Sequence, residues 1–120
     1  MSINWSDYKN FSATEFDCSQ TGENSMRPEF MDLLQTLRDA VGPLTVNSGY
    51  RSPLHTIEAA KEAPGSHSYG LAADLMIKNP SHAHLVTREA LRLFPGIGLS
   101  RSFLHVDCAT HVGRPAIWTY

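Results

Sequence analysis

An α+β domain with a mainly antiparallel sheet flanked by helices is what this 120-residue chain predicts. Three observations carry the prediction. Two amphipathic stretches of helical period are each closed by a Pro/Gly pair. The short apolar and β-branched runs gather in the second half of the chain. The last of these runs are separated by hairpin-length connections, which favours antiparallel pairing over a doubly wound parallel sheet.

The elements follow in order. The segment from Trp5 to Phe11 is polar with spaced aromatics and reads as a lead-in. Ser12-Ala13-Thr14-Glu15 has the form of a capping box and predicts a short helix over Glu15 to Cys18. Residues 19–25 are polar, contain Gly22 and read as a loop. Pro28 suits a first helical position. Phe30, Leu33, Leu34, Leu37 and Val41 then recur at helical spacing until Gly42-Pro43 ends the helix. Residues 44–47 read as a short strand running into the turn-rich Ser48-Gly49-Tyr50-Arg51-Ser52-Pro53, and residues 54–63 have helical composition up to Pro64-Gly65.

Residues 71–77 form a small-apolar run interrupted only by Asp74, which predicts a buried strand. Ser81 is the expected cap of a second long helix through Leu85, Val86, Ala90 and Leu93, stopped by Pro95-Gly96. Residues 97–99 and 102–108 read as a hairpin around Ser100-Arg101, and Ile117-Trp118 as an edge strand.

Length and charge narrow the function. A chain of this size is one domain, residues 1–120, able to bury a core without staples. The formal net charge is -2 with no basic run, which argues against nucleic acid as a partner. No apolar run approaches the roughly 20 residues of a membrane span, so no membrane insertion is expected. The first residues carry no basic and apolar signal segments; synthesis in a cytoplasm is expected, with another route to any site outside it. Cys18 and Cys108 do not make a metal motif and read as two independent buried thiols, although spacing leaves a pairing open. A monomer is expected.

The candidate chemistry sits in two stretches. Ser66-His67-Ser68-Tyr69-Gly70-Leu71-Ala72-Ala73-Asp74 sets a histidine in a Gly- and Ser-rich turn ahead of a carboxylate in an apolar strand. A buried carboxylate is costly unless paired or bound to metal. Asp74 could instead bond backbone amides or Arg51. Phe103-Leu104-His105-Val106-Asp107 puts His105 and Asp107 on one strand face. Two histidine nitrogens and one carboxylate oxygen, with a fourth position left to water, is the donor set of a catalytic-type zinc site. His67, Asp74 and His105 are therefore the expected ligands of one zinc ion. Arg51 suits a carboxylate or a developing oxyanion, or else a structural ion pair with Asp74 or Asp107. Tyr50 and Tyr69 either line the cleft or only pack. His82 and His84 read as surface residues; spacing does not place His55 or His111. Ser66 and Ser68 lack a base and an orienting acid, which discounts a serine nucleophile.

These segments resemble a known family. The stretch from Ser66 to Asp74 is similar to the SxHxxGxAxD motif of the M15-type zinc D-Ala-D-Ala peptidases, and residues 48–53 to their SGYRSP segment. Residues 103–107 are similar to the FxHVD segment of a branch common in bacteriophages and their hosts. The resemblance implies a small hedgehog/DD-peptidase-like domain with zinc on His67, Asp74 and His105. It also implies cleavage of D-amino-acid bonds in peptidoglycan stem peptides at the cell wall or periplasm, and Arg51 holding a substrate carboxylate or polarising the scissile carbonyl. Tyr50, Ser66 and Tyr69 are expected to contact substrate. The first expectation is a D-alanyl-D-alanine carboxypeptidase, in the manner of a phage endolysin. A peptidoglycan endopeptidase and a non-catalytic, zinc-stabilised wall-binding or virion module are the alternatives. One departure bears on catalysis. The position three before His105, where better-known members carry an acidic general base, is Ser102. Asp107 is then the nearest carboxylate for that role; the competing reading has it orienting a histidine or Arg51.

Overall fold

The computed structural model describes residues 3–120. Two 3-10 turns, Trp5–Asp7 and Ala13–Phe16, precede helix α1 (Pro28–Val41), strand β1 (Val46–Ser48) and the one-turn helix α2 (Thr56–Ala59). A third 3-10 turn, Ser66–Tyr69, leads into β2 (Ala72–Met76), α3 (Pro80–Leu93), β3 (Gly96–Leu99), β4 (Phe103–Asp107) and β5 (Ala116–Thr119). The strands form one sheet in the order β1-β2-β4-β3-β5. Every pairing is antiparallel except β3 with β5. The α+β reading holds, including the β3–β4 hairpin and the edge strand through Ile117-Trp118.

Strand alternation divides the sheet into two faces. Ala73, Leu75, Ile97, Leu104 and Val106 point into one buried cluster with Phe30, Leu34 and Leu37 of α1 and Val86 and Ala90 of α3. The rings of Phe30 and Phe94 meet there at 5.5 Å. The register aligns Asp74, His105, Gly98 and Trp118 in one row across β2, β4, β3 and β5, on the face away from the helices. Ala72, Asp107, Gly96 and Ala116 form the neighbouring row. One face therefore supplies hydrophobic stability and the other is left for chemistry.

Several boundaries differ from the sequence reading. Ser12 and Glu15 do form the capping box, but the turn it opens is Ala13–Phe16, not a helix reaching Cys18. The first strand starts two residues later than expected, at Val46. The helical stretch expected over 54–63 contracts to four residues, Thr56–Ala59. The cap of α3 is Asn79, whose side chain accepts the His82 N–H, with Pro80 in the first turn; Ser81 already lies inside the helix. His84 is exposed, but His82 is half-buried: its ring folds back so that Nδ1 accepts the Lys78 N–H at 3.2 Å. Cys18 and Cys108 are unpaired, the first buried and the second half-buried.

The polar lead-in has a structural task that periodicity does not reveal. Phe16 is fully buried against Trp5 and Phe11. Its carbonyl accepts the Tyr50 N–H at 2.8 Å, fastening the turn after β1. No described helix is long and apolar enough to cross a membrane.

Candidate metal centre

The two central strands set the distances. Asp74 on β2 stands directly opposite His105 on β4. Asp74 Oδ1 lies 3.1 Å from His105 Nδ1 and 3.4 Å from His67 Nε2. One ligand atom from each of His67, Asp74 and His105 falls within 4.8 Å of the others, so the described residues bring together the three expected side chains as a group able to hold a metal ion. Both histidines are buried and Asp74 is half-buried.

His67 reaches the sheet from the Ser66–Tyr69 turn. That turn ends at Gly70, whose φ of +71° is left-handed. A Cβ at Gly70 would also overlap the Ser25 carbonyl. No other residue satisfies both demands, and the turn delivers His67 and the start of β2 to the same place.

The outer nitrogens of both rings are engaged. His67 Nδ1 lies 2.8 Å from the Gly49 carbonyl oxygen. That oxygen can only accept, so Nδ1 carries the proton and Nε2 presents a lone pair. His105 Nε2 lies 2.6 Å from Asp107 Oδ2, which leaves its Nδ1 as the inward lone pair. Two lone pairs and a carboxylate oxygen thus face one point. Such an arrangement calls for a cation or for added protons, and a carbonyl or carboxylate behind each histidine is the usual arrangement around bound metal.

The protonated-ring alternative sets the metal-free electrostatics. Burial alone would raise the Asp74 carboxyl, but hydrogen bonds and charge from His105 and His67 outweigh it and hold the group well below the usual carboxylate range. Burial would lower His105, yet Asp107 and Asp74 outweigh it and raise the imidazole above its ordinary value.

Asp107 is fully buried. It receives Arg114 Nε on Oδ1 at 2.8 Å, Arg114 Nη2 on Oδ2 at 2.7 Å and the Ala109 N–H at 3.2 Å, besides His105. Burial pushes its carboxyl up, but the Arg114 guanidinium and His105 hold it well below the usual range. The pair lies over Gly96, where a Cβ would overlap Asp107 Oδ1. The Arg114 guanidinium also sits 5.0 Å from the Trp118 ring centre, and Trp118 stands 5.2 Å from the His105 ring.

Arg51 departs from the ion pairs considered for it. It bonds neither Asp74 nor Asp107 but Glu58, at 3.0 Å, and its Nη2 donates to Ser48 Oγ at 3.3 Å. Tyr50 is buried in the same turn. Tyr69 is 43% exposed and stacks on His111 at 4.1 Å, which brings His111 to the edge of the His67 turn. Tyr69 and Ser68 also line a cavity of about 740 Å³ with Met26, Arg27 and Glu29. His55 is buried and caps α2 through the Ile57 N–H. Ser66 offers only its carbonyl to the turn, accepting the Leu71 N–H at 3.4 Å.

Sequence reasoning passed over Glu58 and Arg114. The Glu-x-x-Lys spacing of Glu58 and Lys61 is the one local signal for the first, and it normally marks a solvated helix face. Nothing local points from Arg114 to Asp107. The resemblance also needs one adjustment: counted back from His67, the leading serine of the motif falls on Gly65.

Curated proteins give no match to the chain. The family model described as Peptidase M15 matches residues 9–107. That span holds Arg51, His67, Asp74, His105 and Asp107 and closes on the last residue of β4. A match over most of the chain, carrying the whole three-residue cluster, shows that this chain belongs to the peptidase M15 family.

Proposed function

We propose that the chain is a zinc peptidase of peptidoglycan stem peptides, with removal of a terminal D-Ala as its first activity. The observation that carries this reading is the convergence of His67 Nε2, Asp74 Oδ1 and His105 Nδ1, with both histidine tautomers fixed from behind. The donor set suits zinc: two buried imidazoles and one half-buried carboxylate. Zinc held there supplies Lewis acidity and brings the pKa of water toward about 7.

The chain's own residues take the remaining roles. Arg51 meets the substrate's terminal carboxylate or the scissile carbonyl oxygen. Tyr69, exposed at the end of the His67 turn, contacts the peptide together with Ser66, and Tyr50 backs Arg51. Asp107 keeps the His105 proton on the outward nitrogen. Its burial and full set of partners favour this orienting role over direct proton exchange with water.

A second reading, a zinc-stabilised wall-binding module without turnover, draws on Ser102. That residue is exposed in the β3–β4 turn where an acidic base would stand. Mass spectrometry of peptidoglycan digests, with zinc and after chelation, separates the readings. Zinc-dependent loss of D-Ala supports the carboxypeptidase. Cleavage inside the stem or cross-bridge moves the assignment to an endopeptidase. Wall binding with no cleaved product overturns the enzyme.

A further inference from the structure

Glu58 has no place in the metal cluster, yet its side chain is completely buried. Oε2 accepts from Arg51 Nη1 at 3.0 Å and Lys61 Nζ at 2.9 Å, and Oε1 accepts the Gly65 N–H at 2.7 Å. Burial pushes the carboxyl up, but the Gly65 amide, Lys61 and Arg51 outweigh it and hold the pKa at about 2. Stability alone is a poor reason for such a group, because a well-packed apolar residue often serves a buried ion pair's place as well or better.

Its partners suggest another reason. Gly65 is the N-cap of the turn that carries His67. Arg51 is bound to the same turn, donating its N–H to the His67 carbonyl at 3.2 Å and accepting the Ser68 hydroxyl at 2.5 Å. The Arg51 guanidinium also touches Ser48 Oγ, and Ser48 is the cross-strand neighbour of Asp74. Glu58 therefore ties the guanidinium to the turn that delivers His67, while Ser48 ties it to β1, the strand beside Asp74. Only two of the five guanidinium N–H groups are used by Glu58 and Ser48. Two cations against one anion leave the group positive overall.

We propose that Glu58 is a positioning residue, which locks the Arg51 guanidinium at the rim of the metal cluster with its remaining N–H groups turned to an anionic substrate group. The inference rests on the peptidase reading for its consequence in catalysis, but not for the geometry it asserts.

The test uses the full chain loaded with zinc and compares Glu58→Gln, Arg51→Ala and the double variant. Glutamine keeps the volume and the acceptor for Gly65 while removing the charge. The expected results are unchanged zinc affinity and a fall of about 10- to 100-fold in kcat/KM on a stem pentapeptide, the range for losing a charged hydrogen bond. The Gln substitution should add nothing further in the Arg51→Ala background. Nitrogen-15 NMR supplies a readout that needs no activity. The Arg51 Nη signals, identified by their loss in Arg51→Ala, should be resolved by hindered rotation in the parent and averaged in Glu58→Gln. Unchanged Arg51 signals in Glu58→Gln, or an equal loss of activity with and without Arg51, overturns the proposal. A parent protein that cuts no stem peptide sinks the peptidase reading, while the arginine signals still decide whether Glu58 holds Arg51.

Discussion

Asp107 approaches the outer nitrogen of His105 at 2.6 Å while both of its oxygens also receive Arg114. The histidine is thereby held in one tautomer by a carboxylate that is itself held. Replacing Asp107 by Asn would offer an N–H where His105 needs an acceptor, favouring the wrong tautomer. Zinc affinity should fall about 10- to 100-fold, measured by competition with a chromogenic chelator. Lost hydrolysis with unaltered zinc affinity would instead make Asp107 the proton acceptor of the reaction.

Arg114 neutralises a fully buried carboxylate. Arg114→Met should destabilise the metal-free protein by about 3–5 kcal/mol in urea unfolding, the cost of leaving one partner of a buried pair alone. The double variant Arg114→Met/Asp107→Leu should recover much of that loss without recovering zinc affinity. A single variant as stable as the parent would show that water reaches Asp107.

Gly96 provides the space in which the Asp107–Arg114 pair lies. Gly96→Ala should cost about 1–3 kcal/mol in thermal or urea unfolding, as overpacking does. It should also weaken zinc binding, although residue 96 touches no ligand. Gly113→Ala, where a Cβ meets nothing within 4 Å, is the matched control.

Zinc should raise the melting temperature of the parent protein, and a chelator should reverse the rise. His67→Ala and Asp74→Asn should each abolish the shift in differential scanning fluorimetry. A shift that survives both substitutions would place the metal elsewhere.

The direction of the pKa shifts fixes the pH dependence. The folded Glu58 and Asp107 carboxyls lie below their ordinary values, Glu58 at about 2. Their stabilisation is present above the ordinary carboxylate range and lost as the pH falls through it toward about 2. Acid unfolding of the metal-free protein should therefore take up protons, and Glu58→Gln should flatten the slope of stability between about pH 4.5 and 2.5. Zinc affinity should decline at higher pH than an ordinary histidine would dictate, because His105 is raised and must release its proton to bind metal. Isothermal titration calorimetry from pH 8 to 5.5 would measure both the decline and the protons released.

The legible parts of the site share a property: each is encoded within a few residues. His67 and Asp74 are joined by one turn and one strand, and Gly70 marks the left-handed step between them. His105 and Asp107 share a face by simple alternation. What escaped the sequence depends on distant segments meeting. Arg114 reaches Asp107 from the loop before the edge strand. The helical composition of residues 54–63 gives way after one turn, where the Glu58 carboxylate draws the chain back to Gly65. Local helix propensity is weaker than that combination of charge and hydrogen bonding. Ser81 is a competent cap for α3, but Pro80 fits the first helical turn and leaves Asn79 to close it.

The pairing of Asp74 with His105 makes the hydrogen-bond ladder a ruler for the chemistry. One residue inserted within β2 would bring Ala73 or Leu75 opposite His105 and turn the carboxylate into the helices. The same residue added to the turn at 100–102, where Arg101 and Ser102 are exposed, would leave the row intact. Insertions and deletions should therefore be tolerated in the connections and rejected in the two central strands. Carrying the three-residue cluster into another antiparallel sheet would take two facing strands in this register, the glycine-ended turn that delivers His67, and a glycine on the neighbouring strand beside each polar residue of β4.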